Sequence, residues 1–118
     1  MVVRYAELSD AEVDAIFGAL ADATRRDIIA RVLRREQSVS SLAAEYAMSF
    51  AAVQKHVAVL ERASLVRKQR SGREQIVHAE ARTIAHARDL LDELESLWRH
   101  RAAQMERVLA TSEPERSE

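Results

Sequence analysis

From Thr83 to Ala110, Ile84, Ala87, Leu90, Leu91, Leu94, Leu97, Trp98, Met105 and Val108 recur at helical spacing. Such a periodicity predicts one uninterrupted helix. At ~1.5 Å per residue it spans about 40 Å. A domain of 118 residues cannot cover a helix of that length by itself. Leaving its Leu and Trp side chains in water forgoes roughly 25 cal/mol per Å² of apolar surface. The expected solution is a homodimer in which helices at about 10–20 and 83–110 pair across a two-fold axis. Ile16, Leu90, Leu94, Leu97, Trp98 and Met105 are the expected interface residues.

The rest of the chain is also expected to be helical, because it contains only two Gly and one Pro. Ser9-Asp10-Ala11-Glu12 has the form of a capping box. The helix it opens carries Val13, Ile16, Phe17 and Leu20 on one face. Asp22 offers a second N-cap. The helix after it, from about Ala23 to Arg35, turns Ile28, Ile29, Val32 and Leu33 inward and leaves an Arg-rich outer side. Gln37-Ser38-Val39 reads as a short connector with a β-bridge. Ser40 is expected to cap a short helix over Ser41–Tyr46, and Ser49 a longer one reaching about Ala63. Two helices separated by the tight turn Ala47-Met48 make a helix-turn-helix unit, at about 40–63.

The second of those helices has two distinct sides. Val53, Val57 and Leu60 are apolar, whereas Ala51, Ala52, Gln54, Lys55 and Ala58 are small or able to hydrogen-bond. A slim, polar, positively charged N-terminal half fits a DNA major groove. The segments Arg67–Arg70 and Arg73–Ala79 then read as two strands around Ser71-Gly72, where Gly permits a positive φ. This hairpin, at about 66–79, forms a wing with Arg on both sides of its tip. The fold class is therefore mainly α with a small β-hairpin: a single winged helix-turn-helix domain over 1–118.

Charge distribution supports that placement. Overall net charge is −1, but residues 37–78 carry six Lys/Arg against three acids. The flanking thirds are net acidic. Gln54 can make paired hydrogen bonds to adenine, while Ser49 and Lys55 suit phosphates, helped by the helix N-terminus. Ala51 and Ala52 allow close approach to the bases. His56 lies beside the apolar stripe and fits either a DNA contact or a partly buried hydrogen-bonding role. Arg70 and Arg73 are the expected backbone or minor-groove contacts, with ordinary solvated charge as the alternative.

In order, Leu20-Ala21-Asp22-Ala23-Thr24-Arg25-Arg26, Ser40–Tyr46, Val53-Gln54-Lys55-His56-Val57, Leu60-Glu61, Leu65-Val66 and Ser71-Gly72-Arg73-Glu74 make a set. That set resembles the ArsR-type (arsenic-repressor-like) winged-helix transcription regulators, over about residues 10–110. The resemblance implies a bacterial homodimeric repressor binding an imperfect palindrome in double-stranded DNA. Three positions depart from the family pattern: Ala23 and Ala51 or Ala52 stand where Pro is frequent, and Ser64 where Gly is frequent. Ser64 is strained if its turn requires a positive φ.

Many relatives of this kind release DNA on binding a metal ion or another signal. The chain has no Cys, so thiolate sites and disulfides are excluded. A second relative-type site, on the last helix, uses Asp, His and Glu from both subunits. His86 and His100 approach its spacing, but they lie about 21 Å apart along one helix. Only an antiparallel pair could bring His86 near His100 of the partner subunit, and Ile84 and Leu97 occupy the other ligand positions. The expectation is no metal and no cofactor, with His86 and His100 as weak candidates and the effector unspecified. No residues are set in a catalytic triad or phosphate-binding loop, so no enzyme is expected. No apolar run approaches a membrane span and the N-terminus lacks a signal core, so the chain is expected to be cytoplasmic. Two alternatives fit the same residues: a helical protein-interaction module that keeps the fold without binding DNA, and a metal-gated repressor.

Overall fold

The computed structural model describes residues 8–112. The polar tail Thr111–Glu118, with Pro114, reads as a frayed end in the sequence; Thr111 and Ser112 continue the last helix, and residues 113–118 lie outside the described range, as do residues 1–7. The element order is α1 (Asp10–Leu20), α2 (Ala23–Arg34), β1 (Gln37–Ser38), α3 (Val39–Ala43), α4 (Phe50–Arg62), β2 (Val66–Ser71), β3 (Glu74–Ala79) and α5 (Ala81–Ser112).

Each helix start has a local chemical cause. Ser9 and Glu12 form the complete capping box on α1, and the Asp22 carboxylate accepts the Arg25 N–H at the start of α2. The α1 helix has no basic residue in its own last turn. Arg25 and Arg26 supply one from the next helix. Arg25 donates to the carbonyls of Ala19 (2.7 Å) and Gly18 (3.2 Å), and Arg26 to that of Leu20 (2.7 Å). Two guanidiniums thus satisfy carbonyls that a helix C-terminus leaves without partners and oppose its negative dipole end. These side chains are not simply an outer charged face, as the sequence pattern had implied.

Ser38, rather than Ser40, caps α3. Its hydroxyl accepts the Ser41 N–H at 3.0 Å, so the helix starts earlier than expected and ends at Ala43. Tyr46 therefore sits in the turn. Ser38 also belongs to β1, which pairs antiparallel with β3 to give a three-stranded sheet of order β1-β3-β2. The connector is thus a short strand that ties the helix-turn-helix to the wing.

Ile16, Ile28, Leu42, Val53, Val57, Leu60, Leu65, Val66 and Val77 are buried almost completely and form one core. Two expectations change here. Ile16 is 1% exposed and Leu90 7% exposed within a single protomer. The face of α1 that carries Ile16 and Ala19 packs into the protomer core, so these side chains are not open for an interface. Leu33, expected inward, is half exposed. It is rotated one residue beyond the Ile28, Ile29 and Val32 stripe and lies in the last turn of α2.

The α4 helix ends in a Schellman motif. The Leu65 N–H donates to the Leu60 carbonyl (2.9 Å) and the Ser64 N–H to the Glu61 carbonyl (3.0 Å). Leu60 and Leu65 are both fully buried at this junction. The geometry puts Ser64 at φ 60, the left-handed region that favours Gly. Thr83 then donates its hydroxyl to the Ser64 carbonyl at 2.6 Å, fixing the start of α5 against the end of α4. Beyond Leu90 the long helix leaves the core. Every side chain from 91 to 111 is exposed except the half-buried Ala102.

Candidate nucleic-acid interface

The first turn of α4 is built by Ser49, whose hydroxyl oxygen accepts the Ala52 N–H at 3.1 Å. The Ser49 O–H proton remains free to donate, since the side chain is exposed. No acidic residue stands in this first turn. Val53, Val57 and Leu60 bury one side of the helix. That leaves Ala51, Gln54 and Lys55 exposed on the opposite side, with Ala52 half-buried between them. Lys55 makes no ion pair among the described residues.

His56 has a different setting. Its Nδ1 lies 3.3 Å from Arg25 Nη1 and 3.9 Å from Asp22 Oδ1, and the side chain is half-buried. A guanidinium has no acceptor, so in the contact with Arg25 it is the donor and Nδ1 the acceptor. His56 therefore joins α4 to the α1–α2 corner, and it points away from the face that carries Gln54. Asp22 at that corner is held below the ordinary carboxylate range, chiefly by the backbone N–H of Arg25.

The wing follows from strand alternation. Val66 is buried, so Lys68 and Arg70 share its face of the sheet, and their partners Val77 and Gln75 face the same way. Lys68 reaches Glu61 on α4 at 3.5 Å. The opposite face holds Arg67, paired with Glu80 at 2.8 Å, and His78, paired with Glu36 at 2.7 Å. Gly72 takes φ 62 in the first of the two loop positions, as a type II′ hairpin requires. Arg70 folds back on the turn, donating from Nε to the Gly72 carbonyl at 3.2 Å. Arg73, beside it, is exposed and unpaired among the described residues.

A cleft joins the helix to the wing. Ser40, Phe50, Gln54, Lys68, Arg73 and Gln75 all line it. Residues that are far apart in sequence, Gln54 on α4 and Arg73 at the wing tip, thereby meet on one surface. Phe50 and Lys68 escape the sequence pattern. Phe50 keeps the spacing of the apolar stripe yet is 47% exposed, because it stands at the very start of the helix. Lys68 is detectable only by counting strand alternation from Val66.

The remaining expected residues lie on α5. Leu94, Leu97, Trp98 and Met105 are 46–62% exposed, and Leu91, Val108 and Leu109 are similarly open. His86 is half-buried beside α1, near Glu12, whose carboxyl is held below the ordinary carboxylate range chiefly by its hydrogen bonds with Ser9. His100 is exposed far along the helix. Among the described residues no three His, Asp or Glu side chains converge on a point that could hold a metal ion. No helix of the described residues is long and apolar enough to cross a membrane.

A helix-turn-helix at α3 and α4, followed by a β2–β3 wing, defines a winged helix-turn-helix protein. Comparison with known proteins makes the assignment more specific. Residues 22–68 match the family described as bacterial regulatory protein, arsR family. An ArsR-like transcriptional regulator from a Rhodococcus species is 32% identical, with a TM-score of 0.75, covering 83% of this chain and 92% of that one. Another solved ArsR family transcriptional regulator is 30% identical, with a TM-score of 0.73, covering 78% of this chain and 95% of that one. A homodimeric winged helix-turn-helix DNA-binding domain from Mycobacterium bovis shares the fold at 22% identity, with a TM-score of 0.60, covering 77% of this chain and 90% of that one. No curated protein matches the sequence. The chain belongs to the ArsR family of bacterial transcriptional regulators, a family of regulators and not of enzymes.

Proposed function

We propose that the chain is a homodimeric, sequence-specific repressor that binds an imperfect palindrome in double-stranded DNA. The α4 helix enters the major groove with Ser49, Ala51, Ala52, Gln54 and Lys55 toward the duplex. Gln54 reads a base edge, and Ser49 and Lys55 hold phosphates. Arg73 and Arg70 on the wing contact the adjacent backbone or minor groove. Cytoplasmic action on the chain's own promoter and a neighbouring gene completes the reading.

The observation that carries it is the shared cleft of Gln54 and Arg73. A base-reading amide and an unpaired guanidinium on one surface are what a groove contact flanked by a backbone contact requires. The homodimer is supported by the open apolar side of α5, at Leu94, Leu97, Trp98 and Met105, which costs free energy until it is covered. The homodimeric state of the Mycobacterium bovis relative points the same way. Two reading helices then lie about 34 Å apart, one turn of DNA. Metal gating through His86 and His100 is disfavoured by Ile84 and Leu97, which occupy the other ligand positions and cannot bind a metal.

Hydroxyl-radical footprinting on DNA selected by the chain tests this. Two protected half-sites separated by about one helical turn are expected. A single protected patch, or none, contradicts the dimeric repressor.

A further inference from the structure

The apolar residues of α4 divide unequally. Val53, Val57 and Leu60 are at most 1% exposed, whereas Phe50 leaves 47% of its surface open. None of the described residues covers the remainder of the side chain. Its chain neighbours at the tip, Ser49 and Ala51, are too small to shield it. Phe50 continues the apolar stripe to the tip of the helix, where the stripe leaves the core. It lines the same cleft as Gln54, Ser40 and Arg73, and stands four residues before Gln54, hence on the same side of the helix.

The chemistry available to an aromatic ring at that place is narrow. The major groove presents hydrogen-bonding edges and one apolar substituent, the 5-methyl group of thymine. Four residues of helix separate Phe50 from Gln54 by about 6 Å along the axis. Base pairs stack at about 3.4 Å, so the two side chains address bases one or two steps apart. We infer that Phe50 is a specificity residue, seating its ring on the methyl group of a thymine one or two steps from the base read by Gln54. This inference rests on the proposed major-groove placement of α4 and adds to it a base preference that hydrogen bonding cannot supply.

The test uses the full chain and duplexes that it selects from random-sequence DNA. Each thymine of the selected site is replaced in turn by deoxyuridine, which removes only the methyl group. Affinities are measured for the wild type, Phe50→Ala and Phe50→Leu. At one thymine per half-site the replacement should weaken wild-type binding about fourfold, the worth of one buried methyl group. Phe50→Ala should show no loss there while keeping the wild-type response at every other thymine. Phe50→Leu, which keeps an apolar contact and the fold should Phe50→Ala perturb it, should show an intermediate loss.

The inference is overturned if the Phe50 variants bind the thymine and deoxyuridine duplexes with the wild-type ratio at every position. A chain that selects no sequence at all overturns the major-groove reading and this inference with it. Selection of a clear site without thymine coupling overturns the Phe50 role alone.

Discussion

The Tyr46 hydroxyl donates a 2.6 Å hydrogen bond to Oδ2 of Asp27, joining the turn before the recognition helix to α2. Arg31 donates to the same oxygen at 2.8 Å and lies 5.5 Å from the centre of the Tyr46 ring. The turn is longer than a minimal one because α3 ends at Ala43, and this polar contact fixes it together with the packing of Tyr46 against the core. Tyr46→Phe should therefore destabilise the fold by about 1 kcal/mol, the net worth of one such bond. Thermal unfolding checks it; an unchanged midpoint would mean that the contact contributes nothing in water.

The same contact has a pH signature. Burial, then the bond to Asp27, pushes the Tyr46 phenol up to about 12. Its stabilising contribution is fully present below the ordinary tyrosine range near 10 and is lost as pH rises toward 12. Asp27 is held below its ordinary value, chiefly by the Tyr46 hydroxyl and then by Arg31. Its contribution is present above that ordinary value and is lost as pH falls through the lowered one. The chain has two tyrosines, so the titration uses Tyr5→Phe, in which Tyr46 gives the whole phenolate signal. Its step should lie near pH 12 and move down when Asp27→Asn is added; a step already near 10 without Asp27→Asn contradicts the assignment.

Ser64 adopts φ 60 without the freedom of glycine. Its contact with Thr83 is made by the main-chain carbonyl and survives substitution. Ser64→Gly should raise stability by about 0.5–1 kcal/mol, and Ser64→Val should lower it. Urea unfolding that ranks Gly below Ser would refute the strain.

Arg25 holds two carbonyls of α1 and meets His56 of α4, so one side chain links three helices. Arg25→Ala should cost about 2 kcal/mol, and Arg25→Lys should fail to restore it because one ammonium cannot reproduce the planar fork. Equal stability of the Lys variant and the wild type, measured by chemical unfolding, would contradict the account.

Much of this was legible in the sequence, because caps and periodicity are local. Ser9, Asp22 and Ser49 cap the helices they were expected to cap, and Gly72 sits at the wing turn. What was not legible depends on tertiary partners. Arg25 looks like any surface Arg until α1 is folded beside it. Ile16 and Leu94 look equally apolar, yet one is 1% exposed and the other 46%. The difference is which helix packs over them, and periodicity does not encode that. Ser38 and Ser40 are equally good caps in sequence; the pairing of β1 with β3 selects Ser38.

The exposed side of α5 makes a direct prediction about assembly. Trp98→Glu should shift a dimer to monomer by at least about tenfold in dissociation constant, since it places a charge in an apolar contact. Helical content should be unchanged, as the Trp98 side chain is 62% exposed in the protomer. Sedimentation showing the variant still dimeric would move the interface elsewhere.

The most direct test of the central claim is binding of the purified chain to its own upstream DNA and to random DNA, titrated with salt. The account predicts tight, sequence-selective binding that falls linearly in logarithmic salt concentration. Arg73→Ala should lower that slope by about one, while Gln54→Ala should reduce the preference for the specific duplex. Equal, weak binding to both duplexes, with Gln54→Ala without effect on their ratio, would contradict it.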